Sequence, residues 1–207
     1  MRLAVMVSGN GTNLQAILDA CASGALDATV NAVFSNRQDA YAMERARRAG
    51  VVSQYVPYKP YRDAGIPRER YDADLADKVA ATHPDVVVCA GWMHVLSAVF
   101  IDRFEGRVLN LHPALPGEYP GTDALTRAWE DARKGLRDHT GVMVHWVTPE
   151  LDAGPVVAQE RVAIAAGEEQ QALALRMAEV EHRLLVGALV QIAAAWRGGG
   201  ALPALRW

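Results

Sequence analysis

Four short segments of the chain, residues 3–7, 30–34, 86–90 and 108–111, are apolar at nearly every position instead of at alternate ones. A strand with one wet face alternates. A strand apolar throughout is buried on both faces, the condition of a parallel sheet covered by helices. Segments with apolar residues at helical spacing separate these runs, starting with Leu14, Ile17 and Leu18 and continuing near residues 40–49, 68–81 and 96–104. The alternation predicts an α/β fold with a mostly parallel twisted sheet flanked by helices. Such sheets bind ligands just beyond the carboxyl ends of their strands. Ser8 to Asn13, Gly91-Trp92-Met93 and His112-Pro113 all fall there.

Residues 51–56 form a further strand candidate, and residues 57–67, with Pro57, Pro60, Gly65 and Pro67, read as the longest loop. Beyond residue 140 the pattern changes. Val142, Val144 and Val147 mark one strand and residues 156–164 another, joined by a turn over 148–155, which predicts an antiparallel pair. A long helical segment follows over 168–196, with Gly187 a candidate irregularity, and Gly198-Gly199-Gly200 opens a tail.

With 51% hydrophobic and 22% charged residues, the 207-residue chain has the composition of an ordinary globule. Its net charge of -3, from 21 basic and 24 acidic side chains, gives no support for a nucleic-acid partner. Arg45, Arg47 and Arg48 read as a solvated helix face. Cys21 and Cys89 are the only cysteines, too few for a disulfide framework or a cysteine-based zinc site. The opening apolar run reaches Gly9 too soon for a signal peptide, and no run is long enough to span a bilayer. The expectation is a cytoplasmic protein without membrane partners.

Gly9-Asn10-Gly11-Thr12-Asn13 falls where a helix begins. Glycines allow close backbone approach, and the free amides of a first helical turn favour an anion, with a phosphate monoester the natural guest. The segment lacks the lysine of a nucleoside-triphosphate loop and the three-glycine spacing of a dinucleotide site. A plain strand-to-helix turn is the competing reading. Arg68, at the start of a helix, is either a surface arginine or a second ligand for the same anion.

Asn110 interrupts an apolar strand, and a buried amide needs its hydrogen bonds met by a structural partner or by a ligand. His112 follows two positions on, hence on the same strand face, and Pro113 biases it toward extended backbone. Asp152 sits in the turn Glu150-Leu151-Asp152-Ala153-Gly154-Pro155, where it is either an Asx-type turn former or an acid for His112. If the two meet, the carboxylate is expected to raise the imidazole pKa. The imidazolium and the Asn110 amide would then stabilise an oxyanion while Asp152 relays a proton. His145 could line the same pocket or support Asp152. His83 and His139 read as surface residues, and His182 has no zinc spacing to His112.

These segments together resemble the folate-dependent formyltransferase family in its phosphoribosylglycinamide branch. The likeness is carried by Val7-Ser8-Gly9-Asn10-Gly11-Thr12-Asn13-Leu14-Gln15-Ala16-Ile17, Ala32-Val33-Phe34-Ser35-Asn36, Pro84-Asp85-Val86-Val87-Val88 and Ala90-Gly91-Trp92-Met93. It continues through Leu109-Asn110-Leu111-His112-Pro113-Ala114-Leu115, Tyr119-Pro120-Gly121, Thr140-Gly141-Val142-Met143-Val144-His145 and the Asp152 turn, in order over about residues 2–190. The chain begins with the catalytic-type strand and stops soon after the long helix. That fits neither a deformylase with an N-terminal regulatory domain nor a methionyl-tRNA formyltransferase with an RNA-binding C-terminal domain.

The resemblance implies a Rossmann-like sheet and one formyltransferase domain over residues 1–197, with a phosphate-substrate half at 1–112, a folate-site half at 113–197 and a tail at 198–207. It implies Asn110, His112 and Asp152 as the catalytic trio. Gly11, Thr12 and Asn13, with Arg68, would hold the substrate phosphate, and Glu181 would contact the substrate near its ribose. Met93, His94 and Leu96, with Asn110 and the loop Thr148, Pro149, Glu150, Leu151 and Asp152, would line the folate cleft. The substrates implied are 10-formyltetrahydrofolate and glycinamide ribonucleotide, with no metal, in a monomer or homodimer. Three positions depart from the family: His94 where arginine is frequent, Pro116 shifted by one residue, and Asp123 where histidine or another polar group is common. The alternatives are a formyltransferase for another phosphorylated or sugar amine, a deformylase, and a phosphate-ligand binder without catalysis.

Overall fold

The computed structural model describes residues 1–104 and 106–198; residues 199–207 of the expected tail lie outside it. Strands β1 (Arg2–Val7), β2 (Thr29–Ser35), β3 (Val52–Tyr55), β4 (Val86–Cys89) and β5 (Val108–His112) pair in parallel. β6 (His139–Trp146) and β7 (Val156–Ala163) add antiparallel, and the order among the described residues is β3-β2-β1-β4-β5-β6-β7 in one seven-stranded sheet. The Rossmann-like, mostly parallel sheet with an antiparallel end is therefore as expected.

Apolar continuity in the strands has the predicted cause. Along β1, Leu3, Val5 and Val7 join one core cluster, while Ala4 and Met6 join a second on the other face. β4 divides the same way, Val86 and Val88 against Val87 and Cys89. Helices α1 (Thr12–Ala22), α2 (Tyr41–Arg48) and α7 (Gln170–Arg197) cover the first face, and α4 (Arg68–Ala80) and α5 (Ala98–Arg103) the second.

Two elements differ from the sequence reading. The expected loop at 57–67 contains a short helix, α3 (Lys59–Asp63), with Pro60 in its first turn, where a missing N–H costs nothing. Helix α6 (Ala124–Arg133) was not foreseen, because only Ala124 and Ala128 in it are fully buried. Gly187, a candidate irregularity, causes no break: α7 runs on for 28 residues. No helix among the described residues is long and apolar enough to cross a membrane.

From β1 the chain builds β2 and β3 on one side and then returns to lay β4 on the other side of β1. The loops leaving β1 and β4 must therefore diverge, and the crevice between them is where this sheet topology places a ligand. Ser8 ties both lips together: its N–H donates to Gly91 O at 3.0 Å and its hydroxyl oxygen accepts from Met93 N at 2.9 Å.

Candidate active site

A cavity of about 270 Å³ opens at this crevice, lined among others by Asn13, Glu181, Met93, His94 and the Thr148–Asp152 loop. β5 delivers Asn110 and His112 to its floor, and the β6–β7 connection delivers Asp152. The three meet. His112 Nδ1 lies 3.5 Å from Asp152 Oδ2, and Asn110 Nδ2 donates to Asp152 Oδ1 at 3.3 Å. Asp152 also accepts from Gly121 N at 2.8 Å. All of these partners are far away in sequence, so the carboxylate does not serve its own turn. Its backbone is left-handed, with φ 52°, a conformation that the surrounding contacts must hold.

His145 completes the group. Paired with Asn110 across β5 and β6, it donates from Nδ1 to Trp146 O at 3.0 Å. Its Nε2 lies 3.2 Å from Asn110 Nδ2 and 3.6 Å from Asp152 Oδ1. Asn110 thus directs its amide hydrogens at His145 and Asp152. His112 donates from Nε2 to the Tyr119 carbonyl at 3.1 Å, which leaves Nδ1 as the nitrogen facing the acid.

The electrostatics correct one expectation. His112 is pushed below its ordinary value because burial outweighs the nearby Asp152 carboxylate and the Tyr119 carbonyl, with His145 and Arg127 adding to the lowering. Burial also works against charge on Asp152, but His145, the Gly121 amide and His112 together hold the carboxyl below its usual range. The acid is therefore ionised and the imidazole readily neutral. Elsewhere in the cavity lining, burial raises Glu181 despite the hydrogen bond it accepts from Asn13 Nδ2 at 2.9 Å.

The remaining predicted residues divide by position. Met93, His94, Leu96, Thr148, Pro149, Glu150 and Leu151 line the cavity, with Met93 58% and Leu151 46% exposed at its apolar rim. His94 Nε2 accepts from Asn36 Nδ2 at 2.9 Å. Burial lowers its pKa, as does Arg68. Asn13 Oδ1, Trp92 Nε1 and His94 Nδ1 are buried in the walls without a partner among the described residues, as in a site built for a polar ligand. Gly11 and Thr12 begin α1 beside the cavity. Gly11 has φ 76°, and an added Cβ would lie 2.8 Å from the Ala42 Cα, so only glycine fits where α2 crosses the loop.

Arg68 is engaged elsewhere than on the glycine loop. It donates to buried Asp72 at 2.9 Å and to Val95 O at 2.7 Å, and stacks 4.8 Å above the Tyr58 ring. Arg45, read as a solvated face, instead grips that loop, donating to Asn10 O and Oδ1 at 2.8 Å each. Its neighbours Arg47 and Arg48 do pair with Glu44 at the surface.

An α/β sheet whose switch-point crevice gathers an amide, two imidazoles and a carboxylate beside the N-terminus of a helix is a frame suited to a group-transfer enzyme. Residues 1–189 match the Formyl transferase family, and the chain belongs to that family. It is 45% identical over 199 residues to phosphoribosylglycinamide formyltransferase of Schizosaccharomyces pombe, spanning 92% of this chain and 96% of the relative. With the enzyme of the same name from Escherichia coli it shares 40% identity over 212 residues, 98% and 96% of the two chains. The crystal structure of glycinamide ribonucleotide transformylase 1 from Symbiobacterium toebii superposes with a TM-score of 0.87 at 37% identity, covering 94% of this chain and 88% of that one.

Proposed function

We propose that the protein transfers a formyl group from 10-formyltetrahydrofolate to the primary amine of glycinamide ribonucleotide, a step of de novo purine synthesis. Kinship with phosphoribosylglycinamide formyltransferases supports the reaction. The observation that carries the mechanism is the His112–Asp152 contact at 3.5 Å in the floor of a cavity that also reaches Asn13 and Glu181.

The substrate phosphate seats on the α1 amides at Gly11, Thr12 and Asn13, where dipole and free N–H groups favour an anion. Glu181, tied to Asn13, faces the ribose side. The amine then lies toward Asn110 and Asp152. The apolar rim and the backbone of residues 148–152 hold the folate, and the unpartnered nitrogen atoms of Trp92 and His94 fit its polar edges.

Transfer needs one proton to leave the amine and one to reach the folate nitrogen. The amine nitrogen bonds to the formyl carbon, and Asp152, ionised and adjacent, accepts the proton. Its neighbour His112, neutral beforehand, takes that proton on Nδ1 and becomes the cation facing the oxyanion. Collapse of the tetrahedral intermediate breaks the bond to folate N10, which leaves with the proton returned by His112. Asn110 supports the oxyanion by redirecting the N–H that spans 3.3 Å to Asp152, the longer of its two contacts.

A two-substrate assay read by mass spectrometry tests the reaction: formylated glycinamide ribonucleotide is the expected product. Folate release without any acceptor would mean a deformylase instead. His112→Ala and Asp152→Ala should each cut turnover by at least about a hundredfold. Calorimetry should find glycinamide ribonucleotide still bound, and two folded variants turning over at the parental rate would refute the roles given.

A further inference from the structure

Tyr119 to Asp123 is an expensive piece of backbone placed directly against the reacting groups. Tyr119 has φ 44° and Asp123 φ 57°, both left-handed without being glycine, and Gly121 between them has φ 82°. Non-glycine residues persist there only when their surroundings over-determine them. The Tyr119 carbonyl accepts from His112 Nε2 at 3.1 Å, and the Gly121 amide donates to Asp152 Oδ2 at 2.8 Å. A single short loop thus grips the outer nitrogen of the imidazole and one oxygen of the acid.

Helix α6 supplies the grip on the loop. One Arg127 terminal nitrogen, Nη2, donates to both Tyr119 O and Pro120 O, each at 2.7 Å. Its guanidinium also sits 5.4 Å from the Tyr119 ring centre, and the Tyr119 hydroxyl is fixed on Asp131 at 2.7 Å. Arg127 Nε is buried without a partner among the described residues, so the side chain forgoes solvation to reach these carbonyls.

We infer that Arg127 is a positioning residue for the transfer: by bridging the Tyr119 and Pro120 carbonyls it fixes the loop that sets the His112 tautomer and the Asp152 orientation. The proposal rests on the formyl-transfer reading. With Nε2–H committed to Tyr119, Nδ1 is the nitrogen left to exchange a proton with Asp152. A ring nitrogen's partner decides which nitrogen reacts. Lysine cannot substitute fully, since its ammonium is a compact donor on a flexible stem, whereas Nη2 is held at both carbonyls by a rigid guanidinium plane that also lies against the Tyr119 ring.

The test uses Arg127→Met and Arg127→Lys in the full chain. Arg127→Met should lower kcat about tenfold or more, with KM for glycinamide ribonucleotide within about twofold, as for a loss of alignment at the reacting centre and not of substrate binding. Arg127→Lys should recover only a small part of kcat. Nitrogen-15 NMR of the imidazoles gives a readout that simple loop stability would not move. Above its pKa, parental His112 should carry its proton on Nε2, and Arg127→Met should mix the two tautomers. The groups facing His112 are Asp152, His145, Arg127 and the Tyr119 carbonyl. Removing the Arg127 cation should therefore also shift the His112 titration upward, and Arg127→Lys should leave it near the parental position.

Parental kcat in Arg127→Met, full recovery by lysine, or an unchanged tautomer in Arg127→Met would each overturn the proposal. Should Arg127→Met fail to fold, the lysine variant and the parental spectrum decide, a parental Nδ1–H tautomer being fatal. Failure of the functional reading looks different: the parent would show the Nε2–H tautomer yet form no formylated product.

Discussion

At the scale of single residues, His112 is where two opposing effects can be weighed. The sequence placed an acid within plausible reach, and a carboxylate stabilises an imidazolium. In the folded protein burial is the larger effect and His112 moves down from 6.5. The sign follows directly: between the lowered value and 6.5 the unfolded chain binds the proton more tightly, so this group costs stability as pH falls through that window and nothing above it. NMR titration of the His112 ring should therefore give a midpoint below 6.5. Asp152→Asn removes the chief contribution that opposes burial, so its midpoint should lie lower still; a rise would show that the carboxylate does not govern this imidazole. Asn110 stood out because a polar residue in an apolar strand demands a partner, and His112 because it shares that strand face; Asp152 stayed open between turn former and acid, and only the family resemblance joined the three. The Tyr119 carbonyl and Gly121 amide were not legible, since backbone groups carry no letter of their own. The partners of Arg45 and Arg68 were not legible for a related reason: the reach of a long side chain is set by tertiary packing, not by its place in a helix.

At the scale of elements, the β6–β7 connection brings the acid to the site, and its geometry turns on one residue. A Cβ on Gly154 would lie 1.8 Å from the Trp146 carbonyl oxygen, a backbone atom that cannot swing aside, while the Trp146 N–H donates to Pro155 O at 2.9 Å. Gly154→Ala must open this turn. It should destabilise the protein by more than about 2 kcal/mol in urea unfolding. It should also lower turnover of the folded fraction, because Asp152 lies two residues away. Gly187 makes the opposite case. It is an exposed residue in the middle of α7 with nothing within 4 Å of an added Cβ, so Gly187→Ala should stabilise by about 0.5–1 kcal/mol. Equal effects from the two changes would contradict the packing described. Strands β1, β2, β4 and β5 and helix α7 could be read from the sequence because their burial is nearly continuous or follows a wide apolar stripe. Helix α6 could not, as two small alanines make its fully buried face, and α3 was masked by Pro60, which a first turn accommodates.

At the scale of the whole molecule, the parallel part of the sheet leads into the start of α1, the proposed anion seat, and the antiparallel part supplies Asp152. β5 stands where the two meet, pairing in parallel with β4 and antiparallel with β6. Glycinamide ribonucleotide, with a phosphate at one end and an amine at the other, would bridge both parts, and Asn13 with Glu181 lies along that span. A ligand that binds only the folded state stabilises it by about 2.7 kcal/mol at a hundred times its Kd. For a chain of this length that corresponds to a Tm increase of roughly 5–10 °C. The parent and His112→Ala should show the same increase if, as proposed, the imidazole acts in transfer and not in anchoring. Asn13→Ala keeps its backbone amide but loses the side chain that holds Glu181, so it should lose part of the increase at the same ligand concentration. Scanning calorimetry with and without the ligand reads all three proteins. If His112→Ala loses the shift while Asn13→Ala keeps it whole, the substrate is anchored at the imidazole and not beside Asn13 and Glu181, and the proposed placement is wrong.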